Sequence, residues 1–439
     1  MSLSLSLSLQ DPGGQDPEGH EKTTLDNGLR ILSSSMPHTR AVSIGFFIGV
    51  GSRFEDEEEN GISHFLEHML FKGTEKRPTA REIAVTIEGV GGAINATTGR
   101  ELTTYWVKVP QGHLALAIDL LVDMLQRSKL EEEEIEKERR VIIEEINMML
   151  DFPADWVHLL LNQLVWPGHP LGRDVTGTKE SVSKIDRERM FHYLARHYHP
   201  ANTVISVAGG IEHEEVVEEL SSALEAWPLK GREAYLPVEE TQCEPRVSLG
   251  YRETEQAHLA LALQGIPRSH PDRFNLQLLN TLLGQGMSSR LFLEVREKRG
   301  LAYSISSYVN YLHDTGRLGV SAGVDPRRIE AALEAILGEL DRLRREPVPA
   351  EELKKAKEFM KGRLLLQMED SLAVVSWLGR QEILEDRVLT VDEVLAAIDA
   401  VTPEDIQRVA SERFREESLN LAVVGPFQEE EKLRSLLRL

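Results

Sequence analysis

The sequence predicts an α+β protein of two homologous halves, each an antiparallel-rich sheet covered by helices. Three observations predict it. Val42, Ile44, Phe46, Ile48 and Val50 alternate strictly, the pattern of a strand with one buried face. Leu114, Ile118, Leu121 and Leu125 recur at helical spacing and mark a core-facing helix. Residues 185–209 match residues 401–425 at a constant offset of 216, pairing Met190 with Ile406, Tyr198 with Phe414, Ile205 with Leu421 and Val207 with Val423. Each copy reads as helix, short loop, buried strand and glycine. A chain of 439 residues, too long for one core, therefore divides into two similar halves of about 200 residues.

Residues 1–22 read as a disordered tail. They open on alternating Ser and Leu with no basic start and continue in Gly, Pro, Gln and acid, so they do not resemble a signal peptide. Residues 23–227 form the N-terminal half, the Pro- and Glu-rich stretch 228–245 a linker, and residues 246–439 the C-terminal half. Charged residues at 28% and hydrophobic ones at 41% describe a soluble globular chain. The net charge of -22 argues against nucleic-acid and anionic-membrane binding and favours basic partners. No stretch is long and apolar enough to span a bilayer. The single cysteine, Cys243, excludes an internal disulfide and fits a reducing, cytoplasmic location.

Taken in order, Asp26-Asn27-Gly28 reads as a hairpin turn between short strands. The acidic run from Glu55 to Glu59 reads as a solvated loop that places negative charge at the start of a helix. That helix holds His64-Phe65-Leu66-Glu67-His68 and closes before Gly73 and Pro78. A helix over 79–90 follows, then a hairpin formed by the strand around Asn95 and the strand over 102–109.

On a helix, residues four apart share a face, so His64 and His68 can ligate one metal ion with Glu67 beside it. Two imidazoles favour zinc, and a carboxylate near the metal is what hydrolysis needs as general base. The spelling His-x-x-Glu-His is the inverzincin motif. A chance occurrence, however, predicts no third ligand at a sensible place. The helix over 131–150 supplies a candidate: its apolar stripe is Ile135, Ile142, Ile146 and Met149, Glu145 lies on the flank of that stripe, and Glu138 lies two turns earlier on the same side. Glu144 points to solvent. A carboxylate turned toward the core is costly unless paired or bound to metal, which selects Glu145 as ligand and Glu138 as its neighbour behind the site. Without the histidines, a salt-bridged helix flank would explain both. His192, His197 and His199 have no acid at ligand spacing and read as structural.

The C-terminal half offers no second metal site. Its comparable helix, over 274–283, has neither His nor acid. Gly284 and Gly286 lack the third glycine of a dinucleotide fingerprint, and close packing or a hinge accounts for them. Arg296 and Tyr303 follow.

The motif, with residues 69–144 separating it from Glu145, resembles the pitrilysin/insulinase metallopeptidase family, in the branch of the mitochondrial processing peptidase beta subunit and its bacterial single-subunit relatives. The resemblance covers roughly residues 23–430 and chooses Glu145 independently of helix phase. It implies Zn2+ held by His64, His68 and Glu145, with Glu67 as general base and Glu138 behind the ligands. It implies that Asn95 and Ala96 hold the substrate backbone and that Arg296 and Tyr303 point at the bound peptide from the opposite side. It also implies that the chain is half of a clamshell, in which two copies form a homodimer with composite sites. The expected function is a zinc-dependent endopeptidase acting on extended or presequence-like peptides, basic ones preferred. The rivals are a catalytically inactive core or assembly subunit of the same fold and a hydrolase of non-peptide substrates.

Overall fold

The computed structural model describes residues 19–224, 227, 230, 231 and 233–439. The expected tail over 1–18 and linker residues 228, 229 and 232 lie outside the described residues. Glu21 and Lys22, assigned above to the tail, instead begin a strand, β1 (Glu21–Thr24), paired antiparallel with β2 (Arg30–Ser35). The turn between them is the expected one, with Gly28 at a φ of 81° that a side chain would strain.

The first sheet adds β3 (Ala41–Ile48), β4 (Ala93–Thr98), β5 (Thr103–Pro110) and β6 (Thr203–Gly209) in the order β1-β2-β6-β3-β5-β4. The second contains β7 (Arg246–Tyr251), β8 (Ala257–Gln264), β9 (Ala302–Tyr311), β10 (Gly316–Val324) and β11 (Asn420–Gly425) in the order β7-β11-β8-β10-β9. Without β1 the two orders superimpose term by term, including one parallel pair in each, β2 with β6 and β7 with β11. The internal repeat is thus a repeat of topology, and β4 and β9 are equivalent outermost strands.

Helices in the first half are α1 (Ile62–Met69), α2 (Ala80–Glu88), α3 (Leu114–Arg127), α4 (Glu132–Asp151), α5 (Pro153–Val165), α6 (Lys179–Lys184), α7 (Arg187–His197) and α8 (His213–Ala223). Those in the second half are α9 (Arg273–Gly284), α10 (Ile329–Arg345), α11 (Ala350–Gln367), α12 (Ser371–Glu385), α13 (Val391–Ala400), α14 (Pro403–Arg413) and α15 (Glu430–Leu436). The repeated segments are α7 with β6 and α14 with β11. The glycine at 284 is a packing glycine, since a Cβ there would strike Ser307.

Strand β3 departs from the expected single buried face: Val42 to Ile48 are all buried. The reason lies in the other half. Helix α12 crosses β3 and β6 so closely that a Cβ on Gly45 would lie 2.9 Å from the Val375 side chain, and Phe47, Val204, Ala208, Val375 and Leu378 form one cluster. Helix α5 reciprocates on the second sheet, where a Cβ on Gly250 would lie 2.9 Å from Trp156 and Val157 and Leu161 pack on Ala260 and Ala422. Each sheet therefore carries its own helices on one face and a helix of the other half on the opposite face. Between them the fully buried Arg53 bonds Glu101 at 2.6 Å and Asp314 at 2.7 Å, and Arg30 bonds Glu382 at 3.0 Å.

Candidate active site

Helix α1 is short, and its ends fix its side chains. Ile62, Phe65, Leu66 and Met69 are buried in the first core, which turns His64, Glu67 and His68 to the half-buried side. The chain enters at Gly61 in the left-handed region, φ 97°. Glu55, expected in a solvated loop, is buried. Its carboxylate accepts from Gly61 N at 2.8 Å, Ser63 N at 3.0 Å and Asn60 Nδ2 at 3.1 Å, satisfying the free amides of the helix start. Burial pushes its carboxyl above the usual range despite these hydrogen bonds.

The three expected ligands come together. His64 Nε2 lies 3.3 Å from His68 Nε2 and 3.8 Å from Glu145 Oε2, and His68 Nε2 lies 3.7 Å from Glu145 Oε2. Ligand atoms about 2.0–2.2 Å from a tetrahedral zinc stand roughly 3.3–3.6 Å apart, so this donor set fits that ion with little adjustment. Among the described residues it is the one group of three or more His, Cys, Asp or Glu able to hold a metal. His192, His197 and His199 form no such group.

The surroundings suit ligation too. His68 Nδ1 faces Glu138 Oε1 at 3.0 Å, which assigns the proton to Nδ1 and leaves the Nε2 lone pair toward the cluster. Glu138 is buried and also bonds Lys72 at 2.6 Å. Burial lowers His64 to a pKa of about 4, aided by the neighbouring His68, beside which a second protonated ring is disfavoured, and opposed by Asp174, so its imidazole is neutral at pH 7. Glu145 is half exposed, while Glu144 points outward as expected.

Glu67 has a partner that sequence reading missed. Thr98 Oγ1, at the end of β4, donates to Glu67 Oε2. Helix α1 packs against this strand. On β4, Asn95 is exposed and its Oδ1 accepts from Ala96 N at 2.8 Å, while Ala96 is buried. As β4 pairs only with β5 among the described strands, its other edge is open. Thr98, Lys72 and Asp174 carry no spacing signal, because their partners lie in other elements.

Arg296 and Tyr303 lie beside one another. Arg296 belongs to a π-helical segment, Phe292–Lys298, and its guanidinium sits 4.7 Å from the Phe292 ring centroid and 5.6 Å from that of Tyr303. Tyr303, on the outermost strand β9, is 78% exposed. Among the described residues neither bonds to His64, Glu67, His68 or Glu145.

Residues 30–179 match the family model described as insulinase (peptidase family M16), and residues 184–360 match that of the peptidase M16 inactive domain. The chain belongs to peptidase family M16. An uncharacterized zinc protease of Streptomyces coelicolor is 39% identical over 94% of this M16 chain and 91% of its own length. Another, of Bacillus subtilis, is 38% identical over 92% of this chain and 98% of its own. The crystal structure of a protease from Helicobacter pylori superimposes with a TM-score of 0.88 at 25% identity, covering 93% of this chain and 99% of that one. These relatives support a zinc peptidase. The donor cluster falls in the part of the M16 chain matching the insulinase model, whereas Arg296 and Tyr303 fall in the part matching the inactive domain. Among the described residues no helix is long and apolar enough to cross a membrane.

Proposed function

We propose that this chain is a zinc metalloendopeptidase of inverzincin type that hydrolyses extended or presequence-like peptides inside a closed chamber. The observation that carries the reading is the convergence of His64 Nε2, His68 Nε2 and Glu145 Oε2 beside a carboxylate tied to an open sheet edge. When bound, zinc supplies Lewis acidity at the scissile carbonyl and acidifies water. Glu67 takes the proton of the attacking water and delivers it to the leaving amine. Glu138 orients His68. The substrate main chain adds to the edge of β4 at Asn95 and Ala96, so affinity comes from backbone hydrogen bonds rather than from sequence.

Arg296 and Tyr303 bind the substrate carbonyl and help hold the developing oxyanion. Their lack of any bond to the donor cluster among the described residues, together with the exposure of Tyr303, supports a homodimer in which each chain completes the site of the other. The net charge of -22 supports a chamber that draws in basic peptides, and the single exposed Cys243 is consistent with a cytoplasmic location. A second reading, a catalytically inactive core or assembly subunit, is favoured by the inactive-domain match of the second half.

Glu67→Gln tests the proposal. It is expected to keep stoichiometric zinc and to lose cleavage of a quenched peptide panel by roughly 10²–10⁴-fold. Zinc and cleavage both retained would remove Glu67 as base, while a wild-type chain that takes up no zinc would leave the scaffold reading.

A further inference from the structure

Four arginines line one cavity where the two halves meet. The hairpin of β4 and β5 and its counterpart of β9 and β10 converge there with α12, bounding a cavity of about 200 Å³ whose wall includes Arg100, Arg268, Arg317 and Arg380. Arg317 is 6% exposed and is met by neutral groups. It donates to Asn310 Oδ1 at 3.0 Å and to Asn162 Oδ1, and sits 5.5 Å from the ring centroids of Trp166 and Tyr308. Arg100 donates to Leu171 O at 3.2 Å. Among the described residues no carboxylate lies within ion-pair distance of Arg100, Arg317 or Arg380.

Arg268 comes nearest to a counter-charge, 3.8 Å from Glu101 Oε2, and its buried Nε has no hydrogen-bond partner. Glu101, the one acidic side chain of the wall, has its Oε1 taken by Arg53 at 2.6 Å and His313 N at 3.0 Å, while its Oε2 faces His313 Nδ1 at 3.1 Å without a hydrogen bond, so a single carboxylate is left to answer the cations of the wall. Burial lowers the guanidinium groups of Arg100, Arg268 and Arg317 from their usual range, and Arg317 adds to the effect on Arg100, while Arg380 reaches the cavity from an exposed position. A buried charge is costly unless an opposite charge meets it, and the guanidinium fork matches the spacing of paired oxygens. This is a local excess of cations in a chain of net charge -22.

We infer that this cavity binds an oxyanion, either a free ion of the phosphate class or a carboxylate carried by a peptide. Thr97 and Gly99 also line the cavity and flank Thr98, the partner of Glu67. Since successive residues of a strand face opposite ways, a peptide extended along the edge of β4 would present alternate side chains on the face bearing the arginines, and an acidic one would be held there. The peptide source rests on the function proposed above; the free-ion source does not.

The test is direct binding to the full-length, zinc-loaded chain. Inorganic phosphate is titrated by calorimetry at constant ionic strength, and a peptide pair differing only in Glu against Gln is titrated into the Glu67→Gln chain. Both are repeated with Arg100→Gln/Arg380→Gln. Arg380→Gln alone, at an exposed position, serves if the double variant is unstable. Phosphate binding at one site per chain, weakened at least tenfold by the variant with zinc content and Tm retained, supports the free-ion form. No phosphate binding, but a tenfold preference for the Glu peptide that the variant abolishes, supports the carboxylate form. Wild type and variant that respond alike to both probes, or not at all, overturn the inference. Binding is read without turnover, so that failure leaves the peptidase proposal untouched, and a chain that cleaves nothing still tests the cavity.

Discussion

Thr98 Oγ1 donates a hydrogen bond to Glu67 Oε2, so the outermost strand of the first sheet and the helix bearing both histidines share one carboxylate. A general base must be held where the attacking water will be, and a hydrogen bond to a charged group is worth about 1.5–3 kcal/mol. Thr98→Val is therefore expected to lower kcat/KM by roughly tenfold or more, mainly through kcat, with zinc content unchanged. Thr98→Ser, which keeps the hydroxyl, restores most of it. An unchanged kcat/KM in the Val variant would show that the bond does not position Glu67.

Glu138 stands behind His68 rather than at the donor cluster. Burial opposes its ionisation, but hydrogen bonds from Lys72 and His68 bring its carboxyl below the usual range, so it stays charged. That charge fixes the His68 tautomer and raises the basicity of Nε2. Glu138→Gln should weaken zinc binding by about 10–100-fold in chelator competition while leaving the fold intact by circular dichroism. Equal zinc affinity in the two chains would reduce Glu138 to a structural ion pair.

Elements whose partners are local in sequence were legible, and those whose partners are distant were not. The helical phase that separates Glu145 from Glu144 follows from a stripe within α4 alone, and the 216-residue offset foreshadows the matched sheet orders. The hairpin at Gly28 is equally local. The second buried face of β3 depends on α12, more than 300 positions away, and the apolar stripe of a helix does not say which sheet it will cover. Glu55 differs: the acidic run reads as negative charge at the helix start, which Glu55 supplies through Gly61 N and Ser63 N, but the composition of a loop does not show that these bonds bury the acid. Thr98 has no motif, since a hydroxyl in a strand is ordinary until a helix is laid beside it.

His197 ties stability to pH. It is 2% exposed, and its Nε2 accepts from Arg196 Nε at 2.9 Å, which requires the unprotonated ring. Tyr193 and Phe54 pack their rings near it, and Glu233 lies 3.7 Å away. Burial, with the charges of Arg196, His199 and His192, lowers its pKa from 6.5 to about 3. The unfolded chain therefore binds a proton that the folded chain refuses. Its contribution is full above pH 6.5 and is lost as pH falls from 6.5 toward 3. His197→Gln, whose amide oxygen can accept the same bond, should flatten the denaturation free energy against pH in that window by up to about 1.4 kcal/mol per pH unit. Parallel curves for the two chains would assign the acid sensitivity to the carboxylates instead.

The composite-site proposal makes the sharpest prediction, because it separates residues by chain rather than by distance. Glu67 and the donor cluster lie in the first half, whereas Arg296 and Tyr303 lie in the second and make no bond to them among the described residues. In a homodimer with exchanged contributions, a Glu67→Gln chain still offers an intact Tyr303, and a Tyr303→Phe chain still offers an intact Glu67. Each homodimer has two defective sites, while a mixed dimer has one site carrying both lesions and one carrying neither. With random exchange about half of the dimers are mixed and have one intact site, so mixing the two variants in equal amounts is expected to recover about a quarter of wild-type activity, starting from homodimers reduced by roughly 10²-fold or more. Exchange is verified separately with differently tagged chains, and activity is read on the same sample. Verified exchange without recovery places both residues in the site of one chain, and the open edge of β4 is then completed by the chain's own second half.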